Sequence, residues 1–552
     1  MKRILLPILA GSILFFSCKK NTTVTSSAGT FNITDFRVNG KSGAVLLNDI
    51  NTSPSIKISF SAPVNKSVVA ANVSLSESGA LPVAVNFSYE RNDSTVIINS
   101  ASPLKYLTSY NVTVLPGIES ADHIPLNSRY NYNFLTSMDS TDKFPQITDS
   151  ALLSLIEQKT FTYFWDFGHP VSGMARERNT SGETVTTGGT GFGIMAIPVA
   201  IKRNFILRAD GLARTLLIVN FLKNNCIRYH GAFSHWINGT TGATIPFSPN
   251  DNGADLVETS YLMEGLMVAR QYFNSTTDAN ETALRLKINQ LLDGVEWSWF
   301  RQNNQNVLYW HWSPTVNWAI NAQVRGWNEA LITYVMASSS RTDSIPKIVY
   351  DNGWAQNGNI RNGNTYYGYT LPLGPSNGGP LFFEHYSFMG INPVGLTDAY
   401  ANYQVQTTNH TKINYEYCKA NPRNYYGYSS LCWGLTACDI PTGYAANEPN
   451  NDNGVIAPTA AISSLPYTPV ESMQAIRFFY YKLGDKLWGQ YGFYDAFKLQ
   501  DAWFANSDLA IDEGPIIVMI ENYRSGLIWN LFTSSPEVKN GMRRLGFTAP
   551  YL

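Results

Sequence analysis

Residues 146–552 contain two kinds of apolar segment that alternate along the chain. One kind is apolar on nearly every helical face: Gly191–Ile201, Leu256–Ala269, Ala330–Ala337, Leu381–Met389, Val455–Ser463 and Pro515–Ile520. The other is apolar on one face only: Ser150–Trp165, Ala209–Cys226, Asn280–Phe300, Thr397–Ala420 with a break, Val470–Leu483 and Pro536–Leu545. A helix without a polar face must be enclosed by other protein, whereas an amphipathic helix covers a core and meets water. Six enclosed segments alternating with six covering ones predict an all-α (α/α)6 barrel. The enclosed helices of such a barrel run the same way, so their N-terminal ends gather at one mouth.

The chain before this follows a different period. Ser55–Phe60, Val85–Tyr89, Thr95–Ile98 and Tyr110–Val114 read as short strands separated by Asn, Gly, Pro and Ser. Regular short strands across residues 30–137 predict an all-β Ig-like sandwich, which makes the chain multidomain. The segment resembles the bacterial Ig-like domains found ahead of surface enzymes, and it holds no acid/base cluster. A spacer is the simpler reading; a carbohydrate-binding module is the alternative. The polar stretch Ser137–Gln146 reads as a hinge.

Residues 1–18 read as an export signal. Lys2 and Arg3 precede an apolar run, Ile4–Phe16, that is too short to span a bilayer and ends at Ser17-Cys18. A small residue before Cys18 resembles a lipobox, which makes Cys18 a lipidation site and residues 19–29 a Ser/Thr-rich tether. A plain secretory signal is the alternative. The expected location is the bacterial outer membrane, at the cell surface or periplasmic face, with the lipid anchor as the only membrane contact. The net charge of −1 offers no field for nucleic acid. Cys226, Cys418, Cys432 and Cys438 permit disulfides in an exported chain. Cys432 and Cys438 could pair across a loop, although spacing fixes no connectivity. With no CxxC and no HExxH in the chain, neither a metal nor a cofactor is expected.

Chemistry concentrates at the barrel mouth. Asp251, Asp255 and Glu258 share one helical face at the start of an enclosed helix, Gly253 leaving Asp251 near its edge. Glu329 and Asp512 open two more, and Glu384 and Asp452 stand near others. Each acid alone is explained by capping, because helix N-termini favour Asp and Glu. Several acids at converging ends point instead to a shared acidic pocket. Paired carboxyls suit glycoside hydrolysis, which needs one protonated acid for the leaving oxygen and one ionised carboxylate for water or carbon. An aromatic share of 13 % fits sugar stacking, with Trp312 and Trp327 in Gly- and Asn-rich loops as candidate platforms.

Six motifs then carry a resemblance. Ala175–Gly182, Gly188–Gly193, Asn250–Glu258, Val324–Glu329, Asn451–Pro458 and Ala510–Ile517 look like the glycoamylase-like domain of glycoside hydrolase family 144. That resemblance spans about residues 149–547 and implies an (α/α)6 barrel that cleaves β-1,2-glucan with inversion. Carried over by motif, it implies Glu329 as general acid and Asp512 as general base. It implies Asp251, Asp255 and Glu258 as pocket acids. Arg176, Glu177 and Arg178 sit in a loop motif that suggests substrate binding, with a structural ion-pair network as the alternative, and Asp452 is a further substrate-binding candidate.

The leading expectation is an endo-acting β-1,2-glucanase working on a β-glucan as a monomer. An exo-acting, sophorose-releasing enzyme with the same residues is the near alternative, decided by loop shape, with Ser338–Gly379 the segment that matters most. A polysaccharide lyase would need basic subsites where this mouth is acidic. A non-catalytic glycan-binding lipoprotein would keep the aromatics but need no acid pair.

Overall fold

The computed structural model describes residues 29–42, 46–78 and 82–552. Cys18 and the tether lie outside the described residues. The chain divides into two compact units, one ending at Ser137 and one running from Met138 to Leu552.

The first unit holds two sheets. One has the order β1 (Ile33–Val38), β3 (Ser55–Phe60), β7 (Thr95–Ser100), β6 (Val85–Glu90). The other has the order β2 (Leu46–Ile50), β9 (Tyr130–Thr136), β8 (Ser109–Val114), β4 (Val73–Glu77), β5 (Pro82–Val83), with β2 and β9 parallel. Strand β3 buries every second residue, so Ile56, Ile58 and Phe60 enter one core with Val96, Ile98, Leu75, Val112 and Phe134. This is the outcome of a period of two: one face in the core, one outside. A short helix, α1 (Lys66–Asn72), is capped by Asn65, whose side chain accepts from the Ser67 amide.

The second unit is helical. Its helices are α2 (Asp149–Trp165), α3 (Thr187–Lys202), α4 (Arg208–Asn224), α5 (Leu256–Tyr272), α6 (Ala279–Asp293), α7 (Leu331–Ser339), α8 (Lys347–Val349), α9 (Tyr403–Ala420), α10 (Pro458–Ile462), α11 (Pro469–Leu487), α12 (Ala510–Ser525), α13 (Leu527–Ser534) and α14 (Pro536–Leu545). The segments expected to be enclosed are enclosed: every residue of α7 and α10 is buried, as is Leu256–Arg270 of α5. Helix α3 packs between α5 and α12, α5 packs on α7, and α10 packs on α12. Glycine makes the closest of these contacts: a Cβ at Gly191 or at Gly265 would lie 2.2 Å from the facing backbone.

One enclosed segment differs from expectation. Leu381–Glu384 is a single 3-10 turn, and residues 385–390 continue as turns rather than an α-helix. The buried stretch ties its neighbours together through side chains. The Ser387 hydroxyl accepts from the Ile332 amide at 3.0 Å, and the His385 ring meets the Ser464 hydroxyl at 3.0 Å. Tertiary bonds thus replace the helical ladder of a run too short to hold a helix by itself. The expected hinge also differs in part: Met138 onward belongs to the second unit, where Phe144 stacks on Tyr480 at 4.6 Å and the Lys143 amide donates to the Tyr481 carbonyl. Cys226, Cys418, Cys432 and Cys438 are all free thiols. Cys432 and Cys438 therefore do not pair; the Cys438 sulfur accepts instead from the Asn447 amide at 3.1 Å.

Candidate active site

A cavity of about 550 Å³ opens where the first turns of α3, α5, α7 and α12 meet. Its polar lining comprises Asp251, Asp255, Glu258, Glu329, His235 and His311, together with Glu177 and Arg178. Trp236, Phe247, Trp310, Phe382, Tyr386 and Tyr444 supply the apolar wall.

Asp255 shows how capping and chemistry coexist in one carboxyl. Its Oδ1 accepts from the amides of Val257 at 3.0 Å and Glu258 at 2.9 Å, capping α5. Its Oδ2 faces two imidazoles, His235 Nδ1 at 3.2 Å and His311 Nε2 at 3.5 Å; Asp251 also lies 3.5 Å from His311. Burial works against the charge on Asp255, but the two imidazoles outweigh it and hold the carboxyl below its ordinary range. Burial likewise opposes the charge on His235, yet Glu258 and Asp255 push it up to about 9. Strand pairing places these groups: Asp255 registers with His311, and Trp236, next to His235, registers with Thr186.

His235, Asp251 and Asp255 offer ligand atoms within 4.8 Å of one another, the donor set of a cation site. A His235 held near 9 keeps its proton at neutral pH and is itself the countercharge. Glu258 accepts from the Gly188 amide at 2.7 Å and from the Thr186 hydroxyl, and burial raises its carboxyl. Burial, with Asp255 as a charged neighbour, also raises Asp251.

Glu329 sits in the turn before α7. The Asn328 side chain accepts from the Ala330 amide at 2.9 Å, and Tyr261 and Ser387 donate to the Glu329 carbonyl. The carboxyl is pushed up to about 7, chiefly by burial, with Asp255 and Glu258 adding negative potential. A carboxyl with that affinity can hold a proton at neutral pH and release it within the cavity.

Asp512 lies behind the cavity wall rather than in its lining. It is 4 % exposed, its charge is felt by Tyr386 and Tyr444 of the wall, and its carboxyl hydrogen-bonds to that of Asp495. Asp512 Oδ2 and Asp495 Oδ1 are buried without any donor, so two carboxyls in contact must share a proton. Burial first, and the Asp495 charge second, raise Asp512 well above its ordinary range. The other Asp495 oxygen accepts from the Asp439 amide at 2.6 Å, and Asp439 accepts from Arg178 and from Ser507.

Other expected site residues lie elsewhere. Asp452 is outside the cavity lining: it accepts from Tyr417, Tyr428 and the Gly454 amide, each within 2.9 Å, and so holds a loop. Trp327 is buried among Trp354, Phe388 and Tyr403, with its indole N–H on Glu384 at 3.1 Å. Trp312 is half-buried behind the wall, and its neighbours Trp310 and His311 face the cavity instead. Arg176 stacks over Phe167 and donates to the carbonyls of Gly182 and Phe167, a structural role. No residue of 338–379 lines the cavity; residues 437–446 and 247–255 shape it in their place. His235, His311, Tyr444 and Asp495 were missed by sequence reasoning.

Residues 321–536 match the family described as "Putative glucoamylase", and residues 22–136 match the bacterial Ig-like domain family. A structure from Bacteroides uniformis bearing that glucoamylase description is 54 % identical, with a TM-score of 0.73, over 74 % of this chain and 100 % of that one. The endo-β-1,2-glucanase of Chitinophaga pinensis, in complex with sophorotriose and glucose, is 49 % identical, with a TM-score of 0.72, over 74 % of this chain and 100 % of its own. A curated relative from Parabacteroides distasonis, an exo β-1,2-glucooligosaccharide sophorohydrolase, is 46 % identical over 72 % of this chain. The chain spans 58 % of that relative's length.

Proposed function

This chain belongs to the glycoamylase-like glycoside hydrolases of the family 144 type, and from that premise we propose that it hydrolyses β-1,2-glucan, endo-acting and with inversion. The observation that carries the reading is Glu329, a cavity carboxyl raised to about 7 beside ionised Asp255. Glu329 is the general acid and protonates the leaving oxygen. Asp512 is the general base; from behind the wall it takes the proton of the attacking water through a relay, its negative charge shared with Asp495. Asp251, Asp255 and Glu258, with the two histidines, bind and orient the sugar, and Trp236 and Trp310 face its apolar side.

The finer architecture belongs to the same proposal. The ring of enclosed helices with its outer covering is read as an (α/α)6 barrel, and the two sheets of the first unit as an Ig-like sandwich acting as spacer. Cys18 is proposed as the lipid anchor of a monomer on the outer membrane. A second reading, exo release of sophorose, is favoured by the Parabacteroides relative. Following product size over time separates the two. Endo cleavage yields a spread of intermediate lengths from the first minutes, whereas exo cleavage yields a disaccharide from an intact polymer. No cleavage of β-1,2-glucan would overturn both.

A further inference from the structure

We propose that the catalytic unit carries a second glycan-binding site, outside the catalytic cavity, formed around Trp299 and Trp318. A surface cavity of about 440 Å³ lies there, lined by these two residues with Gln302, Asn303, Asn304 and Asp343. That volume is within the roughly 300–1,000 Å³ of small-ligand sites.

The lining has the chemistry of sugar recognition. Trp299 and Trp318 stack at 4.8 Å, and Trp299 stacks on His230 at 3.4 Å, so the indoles are locked from within while both stay half-buried. Beside them, Gln302, Asn303 and Asn304 form an unbroken left-handed run, with φ of 42°, 63° and 60°. Such residues cost energy and persist only where their surroundings hold them. Arg301 does so here, donating to the carbonyls of Gln305 and Asn304 at 2.8 Å. The exposed Asn303 and Asn304 side-chain amides make no hydrogen bond among the described residues, so a preformed loop offers donors and acceptors next to indoles.

The same lining excludes other ligands. It contains no Lys or Arg, so an anion has no countercharge there. Its two carboxylates are already engaged: Asp343 accepts from the Ser298 amide and hydroxyl, and Glu296 faces His230 at 3.0 Å. A neutral polyhydroxyl chain suits what remains, with C–H groups against the open part of Trp318 and hydroxyls on the amides.

The site is joined to the catalytic wall. Trp299 packs edge-on against Trp312 at 5.3 Å, and Trp312 follows His311 on the strand that pairs with Ala254 and Asp255. Trp312 therefore links the Trp299 face to the strand that carries His311 of the catalytic wall. The occupant is a segment of the same β-glucan, held while another segment is cleaved; this identity rests on the function proposed above.

Native-gel retention by immobilised β-1,2-glucan tests the site, run with full-length protein alongside β-1,3- and α-1,4-glucan. Trp318→Ala should weaken retention by β-1,2-glucan on the order of 3- to 10-fold while leaving turnover of a short oligosaccharide unchanged. The pair Asn303→Gly and Asn304→Gly, which keeps the left-handed backbone and removes both side-chain amides, should weaken it in the same direction if Trp318→Ala fails to fold. Unchanged retention in both variants would overturn the second site. Loss of retention on another glucan, with no hydrolysis of β-1,2-glucan by the parent protein, would instead keep the site and reject the assigned substrate.

Discussion

Replacing Glu329 by Gln separates a catalytic acid from a helix-entry residue, because the two roles respond oppositely. The ordinary Glu carboxyl titrates at 4.5, and here burial moves it to about 7. At pH 6 an ordinary Glu would be about 3 % protonated, whereas one at 7 is about 90 % protonated, so the environment raises the acid form about 30-fold. Gln removes the proton donor and keeps the shape, so turnover should fall by about 100-fold or more. Stability should move the other way. A carboxyl whose folded-state affinity for protons is raised binds more protons folded than unfolded, so the native state loses stability as pH rises from 4.5 through about 7. Gln escapes that loss, which amounts to at most about 3 kcal/mol above pH 7. Initial rates on soluble glucan and thermal melts at pH 5 and pH 8 provide the assay. The melting temperature of Glu329→Gln relative to the parent should be higher at pH 8 than at pH 5. Near-normal turnover in a folded variant, or an equal drop in melting temperature at both values, would refute the reasoning.

The parent enzyme should lose kcat/KM above pH about 7 as Glu329 ionises, and a flat profile to pH 9 would remove it as the acid. Asp495→Asn should move the acid limb of the same profile downward by removing the like charge beside Asp512; an unmoved limb would show that Asp512 does not titrate in the rate. Cys18→Ala should release the protein from membranes without changing turnover, and unchanged membrane retention would end the lipid-anchor proposal. A chain of Met138–Leu552 should keep its turnover on soluble glucan, since that unit has its own core. A stable but inactive product would make the first unit part of the site.

The sequence made legible whatever depends on local periodicity. Strand β3 declared itself by alternation, and α5 and α7 by their lack of a polar face. Asp255 and Glu258 were found because a helix places offsets of three on one side, and both line the cavity. His235 and His311 were hidden because backbone contacts between distant residues bring them to Asp255: its amide donates to the Phe233 carbonyl, and it registers with His311. Asp452 shows the limit of motif reading: Asn451-Asp452-Asn453-Gly454 repeats Asn250-Asp251-Asn252-Gly253, yet two tyrosine hydroxyls claim the second aspartate. Trp327 misled in the same way, since flanking Gly suggested a cleft while its indole N–H needed the buried Glu384. The Asp495–Asp512 contact was invisible because the two acids come from separate elements.

Proton NMR of the first anomer released from β-1,2-glucan tests the central claim most directly. The account predicts that the newly formed reducing end appears as the α anomer and equilibrates to β only later, because water attacks opposite the bond that Glu329 protonates. A β anomer appearing first would contradict inversion by Glu329 and Asp512, and an untouched β-1,2-glucan would contradict the assignment of substrate.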